Sequence, residues 1–373
     1  MRCRSVTPEE AGALRYLGAE LSAAGFACHR LPFSEQGTPD VDNLYARIGT
    51  GSPHICFAGH IDVVPPGDEA AWRHPPFAAE IEDGVLYGRG AADMKGGIAA
   101  SLAAVLPFLS ERGAAFAGSI SFLITADEEG PATNGTRKVV DWLAARGEKP
   151  DACLLGECTS EAAAGDTIKI GRRGSLNCQL KVLGVQGHAA YPDKARNPLP
   201  ALIDVLNFLK MKPLDTGSAH FEPSNLVITS IDTGNRATNV IPATATARFN
   251  IRFNDRHTGE SLKAWIEAQV RAVLAGSGIE YMLEYEPGAE SFLTEPGGFV
   301  QMLSNAVHAE TGQPPMLSTA GGTSDARFIK DLCPVAELGL LNETAHKVDE
   351  CVAVADLETL TRIYARFLQL TFV

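Results

Sequence analysis

The sequence predicts an α/β protein of two domains, the second inserted into the first. Three observations carry that expectation. Up to about residue 173, short apolar runs bounded by glycine or charge alternate with helix-like stretches, as strands buried between helices do. Between residues 174 and 287 the pattern changes to apolar–polar alternation, and from 288 to 373 the first pattern returns. At 373 residues, with 45% hydrophobic and 21% charged content, the chain also exceeds what one compact core holds.

Taken in order, Thr7-Pro8-Glu9-Glu10 reads as a helix start, with Thr7 as N-cap, Pro8 in the first helical position and Glu10 closing a capping box. Residues 55–58, 120–126 and 153–155 are apolar runs that suit buried strands, and 97–109 has the Ala/Leu content and spacing of a helix. Residues 175–183 place Leu176, Cys178, Leu180 and Val182 on one face of a strand. A helix at 200–210, strands at 226–231 and 244–253, a helix at 259–275 and a strand at 280–285 complete a βαββαβ order, that of a ferredoxin-like unit.

The net charge of -13 and pI near 5.2 argue against nucleic acid or an anionic membrane as partner, since either needs a basic stripe. An anionic substrate must therefore meet a local basic patch. Eight cysteines without a CxxC pair, several inside apolar runs, fit reduced thiols in a cytoplasmic protein better than a disulfide frame. Residues 1–21 carry charges throughout, and nowhere do 18 apolar residues follow one another, so neither an export signal nor a membrane span is expected.

Five places carry chemistry. Gly59-His60-Ile61-Asp62 follows the run at 55–58, so His60 and Asp62 share one side of a strand end, where open α/β sheets bind ligands. A metal-bound imidazole needs its other ring nitrogen held, and Asp62 is placed for that; alone, the pair is also an ordinary polar strand terminus. The glycine-dense loop at 88–97 runs into a helix and holds Asp93, one carboxylate that could bridge two ions, although a plain turn reads the same way. No GxxxxGK[ST] occurs and no GxGxxG follows a strand, which argues against a nucleotide loop. Asp127-Glu128-Glu129 ends the run at 120–126; adjacent carboxylates repel unless a cation or proton is shared, so one could ligate metal while its neighbour acts as general base. Glu157, after Leu154-Leu155-Gly156, and His346, in a polar run from Asn342 to Glu350, complete the set. Two Zn²⁺ would be balanced by Asp93, Glu129, Glu157 and one bridging hydroxide, leaving a neutral buried cluster.

On these motifs the chain resembles the zinc-dependent aminoacylase and exopeptidase group and, within it, the succinyl-diaminopimelate desuccinylases. The resemblance runs from about Arg4 to the C-terminus and also rests on Ser5-Val6-Thr7-Pro8, Gly171-Arg172-Arg173-Gly174-Ser175, Gly184-Val185-Gln186-Gly187-His188, Ala237-Thr238-Asn239-Val240-Ile241-Pro242, Gly321-Gly322-Thr323-Ser324-Asp325-Ala326-Arg327-Phe328 and His346-Lys347-Val348-Asp349-Glu350. It implies a mixed-sheet, zinc-exopeptidase-like catalytic domain at 1–173 and 288–373, and an inserted ferredoxin-like dimerisation or lid domain at 174–287.

Residue by residue, the resemblance implies two Zn²⁺ per subunit, with Co²⁺ able to substitute. His60 and Glu157 would hold one ion, Glu129 and His346 the other, with Asp93 between them and Glu128 as the base. His188 would donate to the oxyanion and reach the site of the opposite subunit in a homodimer. The implied reaction is hydrolysis of N-succinyl-LL-2,6-diaminopimelate, a small anionic N-acyl amino acid, to succinate and LL-2,6-diaminopimelate in lysine and diaminopimelate synthesis. A related deacylase or peptidase acting on acetylornithine, an N-acyl amino acid or a dipeptide is the alternative. For the substrate's carboxylates Arg172 and Arg252 are the candidate forks. Gly322, Thr323 and Ser324, ahead of an expected helix from Asp325, offer further donors, and Asn239 and Asn342 add hydrogen bonds. Two departures stand out. Cys158 follows Glu157 where a proline is usual, and the chain begins at Met1-Arg2-Cys3-Arg4, where relatives carry an earlier helical segment whose lack is expected to lower stability.

Overall fold

The computed structural model describes residues 1–113 and 116–373. In chain order it forms α1 (Ala13–Ala23), β1 (Ala27–Phe33), β2 (Val41–Gly49), β3 (His54–His60), α2 (Gly96–Arg112), β4 (Ser119–Thr125), α3 (Thr136–Ala144), β5 (Ala152–Leu155) and β6 (Thr167–Lys169). Then come β7 (Gly174–Leu183), α4 (Pro198–Met211), β8 (Asn225–Asp232), β9 (Thr244–Phe253), α5 (Gly259–Leu274) and β10 (Glu280–Ala289). The chain closes with α6 (Gly298–Thr311), β11 (Met316–Ser318), α7 (Ala326–Ile329), β12 (Val335–Glu337) and α8 (Val354–Thr371), with short strands between some of these.

Two compact units result. The first comprises Met1–Gly171, Thr294–Ser318 and Ser324–Val373; the second comprises Arg172–Leu293 and Thr319–Thr323. Residues 172–173, 288–293 and 319–323 thus fall with the second unit, where the sequence pattern assigns them to the first. β10 runs to Ala289, beyond the expected end at 285, and Thr319 Oγ1 donates to the His220 carbonyl at 2.6 Å, which holds the 319–323 segment to the second unit.

The first unit is built on an eight-stranded mixed sheet in the order β1-β2-β4-β3-β5-β12-β6-β11. β3 runs parallel to both β4 and β5. These three strands are buried at every residue, which explains why they read as continuous apolar runs rather than alternating ones. α2 packs on β3 and α8, and α6 on α8, while α1 and α3 lie against β2. α2 and the turn before it, Ala91–Arg112, are apolar and long enough to cross a membrane by composition alone, yet Ile98, Ala100, Ala104, Val105 and Phe108 are buried against the unit, as in a core helix.

The second unit is a four-stranded antiparallel sheet in the order β8-β9-β7-β10, the arrangement of a ferredoxin-like βαββαβ fold. β7 alternates buried and half-buried residues throughout. Leu176, Cys178, Leu180 and Val182 join Ala245, Phe249 and Ile251 of β9 and the buried stripes of α4 and α5 in one core.

One expected element starts elsewhere. The helix expected from Pro8 begins at Ala13, behind Gly12, whose φ of 87° only glycine adopts freely. A tertiary contact outcompetes the local capping signal: Val6 bridges Val63, and the Thr7 amide donates to the Val63 carbonyl at 3.0 Å. Glu10 still caps, its carboxylate accepting from the Leu14 amide at 2.9 Å.

Candidate active site

The carboxyl ends of β4, β3 and β5 lie side by side, and each delivers one group of the site: Glu129 four residues past β4, His60 as the last residue of β3, and Glu157 two residues past β5. Ligands of open α/β sheets collect at such ends because backbone and loops diverge there. Asp93 comes from the turn Ala91–Lys95 ahead of α2, and His346 from the loop before the Cys351–Ala353 strand. Gly59, Gly97 and Gly156 let these segments touch. A Cβ on Gly97 would stand 2.2 Å from the Gly156 carbonyl oxygen, and one on Gly59 would stand 2.7 Å from Met94 Cε.

Asp93 is shared between two clusters. Its Oδ1 lies 3.2 Å from His60 Nε2, which is 3.7 Å from Glu157 Oε1. Its Oδ2 lies 3.2 Å from His346 Nε2, which is 2.8 Å from Glu129 Oε1. Within the groups His60–Asp93–Glu157 and Asp93–Glu129–His346, the ligand atoms all fall within 4.8 Å of one another. Glu157 Oε1 is buried with no hydrogen-bond partner, the state of a donor atom that a cation would satisfy. Mixed imidazole and carboxylate donors suit zinc and similar divalent ions.

The electrostatics agree with that fit. Burial disfavours a charged His60, yet Asp93, Glu157, Glu128 and Asp62 hold its pKa well above the usual imidazole range. His346 is raised to about 10 by its hydrogen bonds to Asp93 and Glu129. Burial, then the Asp93 charge, pushes Glu157 well above the usual carboxylate range. Without cations both histidines of the cluster and Glu157 thus shift toward their protonated forms. It is a site with an excess of negative charge seeking positive charge.

Behind the donors, His60 Nδ1 donates to the backbone carbonyl of Asp62 at 2.9 Å, while the Asp62 carboxylate stands 3.6 Å away. The sequence pattern suggests the carboxylate for this contact; the structure gives it to the carbonyl. The carboxylate instead accepts from the Glu128 and Glu129 amides at 3.3 and 3.1 Å, which aims the acidic turn. Asp127, the third acid in that run, is structural, accepting from the Thr133 and Asn134 amides at 2.8 and 2.9 Å. Glu128 lies in the group His60–Glu128–Glu129, and burial followed by the charges of Asp325, Glu129 and Asp93 outweighs His60 and raises it to about 8. Burial likewise pushes up the Cys158 thiol, so it stays protonated.

The remaining candidates divide between the units. In the first, Asn342 is exposed on the loop that carries His346, whereas Ser324 is buried and its hydroxyl donates to Glu337 at 2.7 Å. The helix expected from Asp325 is a single turn, Ala326–Ile329, too short to present a useful dipole. In the second unit, Arg172 donates to the Ala320 carbonyl at 3.4 Å and packs on Gly321, beside Gly322 and Thr323. Arg252 is half-buried on β9, its pKa lowered by burial and by the Arg173 charge. His188 is exposed, with Nδ1 accepting from the Ala190 amide at 3.0 Å, which puts the proton of its neutral ring on Nε2. Asn239 accepts at its carbonyl from Ala189 at 2.9 Å, so it neighbours His188. Sequence reasoning gave no site role to Asp325, a buried carboxyl raised to about 6 by burial, although it lies in the run from Gly321 to Phe328, nor to the buried Glu337, which stands in no such run.

A mixed α/β sheet with imidazole and carboxylate groups gathered at its strand ends, one carboxylate shared between two of the groups, suits a metal-dependent amide hydrolase. A sequence profile described as Peptidase family M20/M25/M40 matches residues 56–370. The chain belongs to that family. It is 58% identical over 373 residues to a succinyl-diaminopimelate desuccinylase of Methylorubrum populi, covering 100% of this chain and 96% of the relative. A protein of the same name from Rhodospirillum centenum is 60% identical over 372 residues, covering 100% and 95%. Among solved structures, a dinuclear metal-binding peptidase of the M20 family from Bacillus subtilis superposes with a TM-score of 0.72 at 17% identity, covering 100% of this chain and 96% of that one.

Proposed function

We propose that this chain hydrolyses N-succinyl-LL-2,6-diaminopimelate to succinate and LL-2,6-diaminopimelate, in diaminopimelate and lysine synthesis. The observation that carries the reaction type is Asp93, whose two oxygens face two separate donor pairs. Identity of 58 to 60% with desuccinylases along the whole chain carries the substrate.

Two Zn²⁺ per subunit, with Co²⁺ able to substitute, are the ions proposed: His60 and Glu157 hold one, Glu129 and His346 the other, and Asp93 both. Bound there, such a pair supplies Lewis acidity to the amide carbonyl and brings a water's pKa near neutrality. Glu128, half-buried beside His60 and Glu129 and outside the two groups that share Asp93, takes the proton of the attacking water and returns it to the leaving amine. Asp62 keeps Glu128 and Glu129 aimed through their amides. His188, with its proton on Nε2, is the proposed donor to the oxyanion. Arg172, Arg252, Asn239, Gly322 and Thr323, with Asn342 and the Ser324 backbone, are the proposed partners of the substrate's charged ends.

The acidic balance of -13 supports a small-molecule partner over nucleic acid or membrane, and eight free cysteines support a cytoplasmic setting. A homodimer through the second unit is supported by edge strand β8, which leaves Val227 and Ile231 about half exposed, at 50% and 55%.

The deciding experiment measures released succinate, against released acetate from acetylornithine and other N-acetyl amino acids, with and without a chelator. Succinate release that the chelator abolishes is expected; acetate release at comparable or greater efficiency would remove the substrate assignment. In Glu128→Gln, turnover should fall by about 10²- to 10⁴-fold with metal content unchanged. Undiminished turnover in that variant would sink the assigned base.

A further inference from the structure

The turn that carries Asp93 and the loop that carries His346 are fastened to the same buried ion pair. Arg89 and Glu350, 2% and 0% exposed, meet with Nη1 2.8 Å from Oε2. The rest of the Glu350 carboxylate is filled by backbone: Oε2 accepts from the Gly90 amide at 2.9 Å, and Oε1 from the Ala92 and Asp93 amides at 2.9 and 3.0 Å. Arg89 reaches the other loop, donating through Nη1 to the Lys347 carbonyl at 3.1 Å and through Nη2 to the His346 carbonyl at 3.4 Å. Its guanidinium also lies 5.1 Å from the Trp72 ring centroid.

The Asp93 amide and the His346 carbonyl therefore hang from one charge pair. His346 has φ 63°, a left-handed conformation that costs a residue with a Cβ and persists only where the surroundings impose it. Gly90, at φ 85°, makes the matching turn on the other side. A buried ion pair is a poor device for stability, because desolvation offsets most of its attraction; its use lies in fixing geometry. Of the two donor groups, Asp93–Glu129–His346 has two members tied to this pair, whereas His60 and Glu157 of the other are carried by strand ends.

We propose that Arg89 and Glu350 form a positioning clasp that governs occupancy of the second metal position, held by Asp93, Glu129 and His346, in preference to the first. The inference rests on the two-metal reading and adds to it a pair of residues that touch neither metal nor substrate.

The test is stepwise Co²⁺ binding to the metal-free full chain, in competition with a chromophoric chelator, with the Co²⁺ absorption spectrum recorded at each equivalent. The wild type should take two ions. Glu350→Gln keeps size but sets an NH₂ against backbone N–H donors. It should bind the first ion within about threefold of the wild type and the second about 10- to 100-fold more weakly. Arg89→Lys, which keeps the charge and loses the fork, should show the same split to a smaller degree. Equal weakening of both ions, no weakening of either, or loss of folding in both variants by circular dichroism would overturn the clasp. Fewer than two ions in the wild type would overturn the two-metal reading itself, and the clasp with it.

Discussion

His54 and His60 stand at the two ends of one strand, and different surroundings shift their pKa values in opposite directions. Burial disfavours a charged His60 but the carboxylates around it raise its pKa, whereas His54, 4% exposed and 2.9 Å from Ser121 Oγ, is lowered to about 4 by burial and by the Arg47 charge, against Glu148 and Asp151. Unfolded, such a ring titrates near 6.5. Between those values the unfolded chain binds the proton and the folded one does not, so the stability that His54 contributes is present above about 6.5 and is lost as pH falls toward 4. The loss should reach about 2 to 3 kcal/mol between pH 7 and 4.5. Guanidinium denaturation of the wild type and His54→Gln at both pH values checks it, and the variant should lack that part of the slope. Equal slopes in the two proteins would show that His54 is not the group responsible.

At the scale of elements, the site was legible where function and burial coincide. Strands buried on both faces announce themselves as apolar runs, so β3, β4 and β5 can be read directly, and the polar residues at or just beyond each strand end are conspicuous. His60, Glu128 and Glu129 are proposed that way, whereas Glu157 and His346 lean on the family resemblance. The start of α1 was not legible, because the pairing of Val6 with Val63 overrides a local capping signal. Nor was the bond between Arg89 and Glu350, whose partners are 261 residues apart in sequence. The glycines where these elements cross lie between the two cases, visible as letters but not as contacts. By helix propensity Gly97→Ala should stabilise α2 by about 1 kcal/mol. Its Cβ would instead lie 2.2 Å from the Gly156 carbonyl oxygen, a backbone atom that cannot swing aside. Overpacking of that kind costs about 1 to 3 kcal/mol, so a net loss is expected, with weaker binding of the ion proposed at His60 and Glu157, because Glu157 is the next residue. Thermal melting and Co²⁺ titration of the variant measure both; a higher melting temperature would mean that propensity wins and the contact relaxes.

At the scale of the whole molecule, the five proposed metal donors span residues 60 to 346 in sequence but belong to one unit. The second unit has its own core and none of them. An ion that binds only the folded first unit adds its binding free energy to every opening that separates the donors, about 2.7 kcal/mol when free metal stands at 100 times its dissociation constant. Openings confined to the sheet of β7, β8, β9 and β10 break no donor contact and gain nothing from the ion. Chelation should therefore speed amide exchange in β3, β4, β5 and residues 342–350 by up to about 100-fold while leaving β7 and β9 nearly unchanged. Hydrogen exchange read by mass spectrometry on peptides separates the outcomes. Equal acceleration in β7 and β9 would mean that the two units open as one, and that the metal stabilises the chain as a whole rather than the sheet ends that carry its donors.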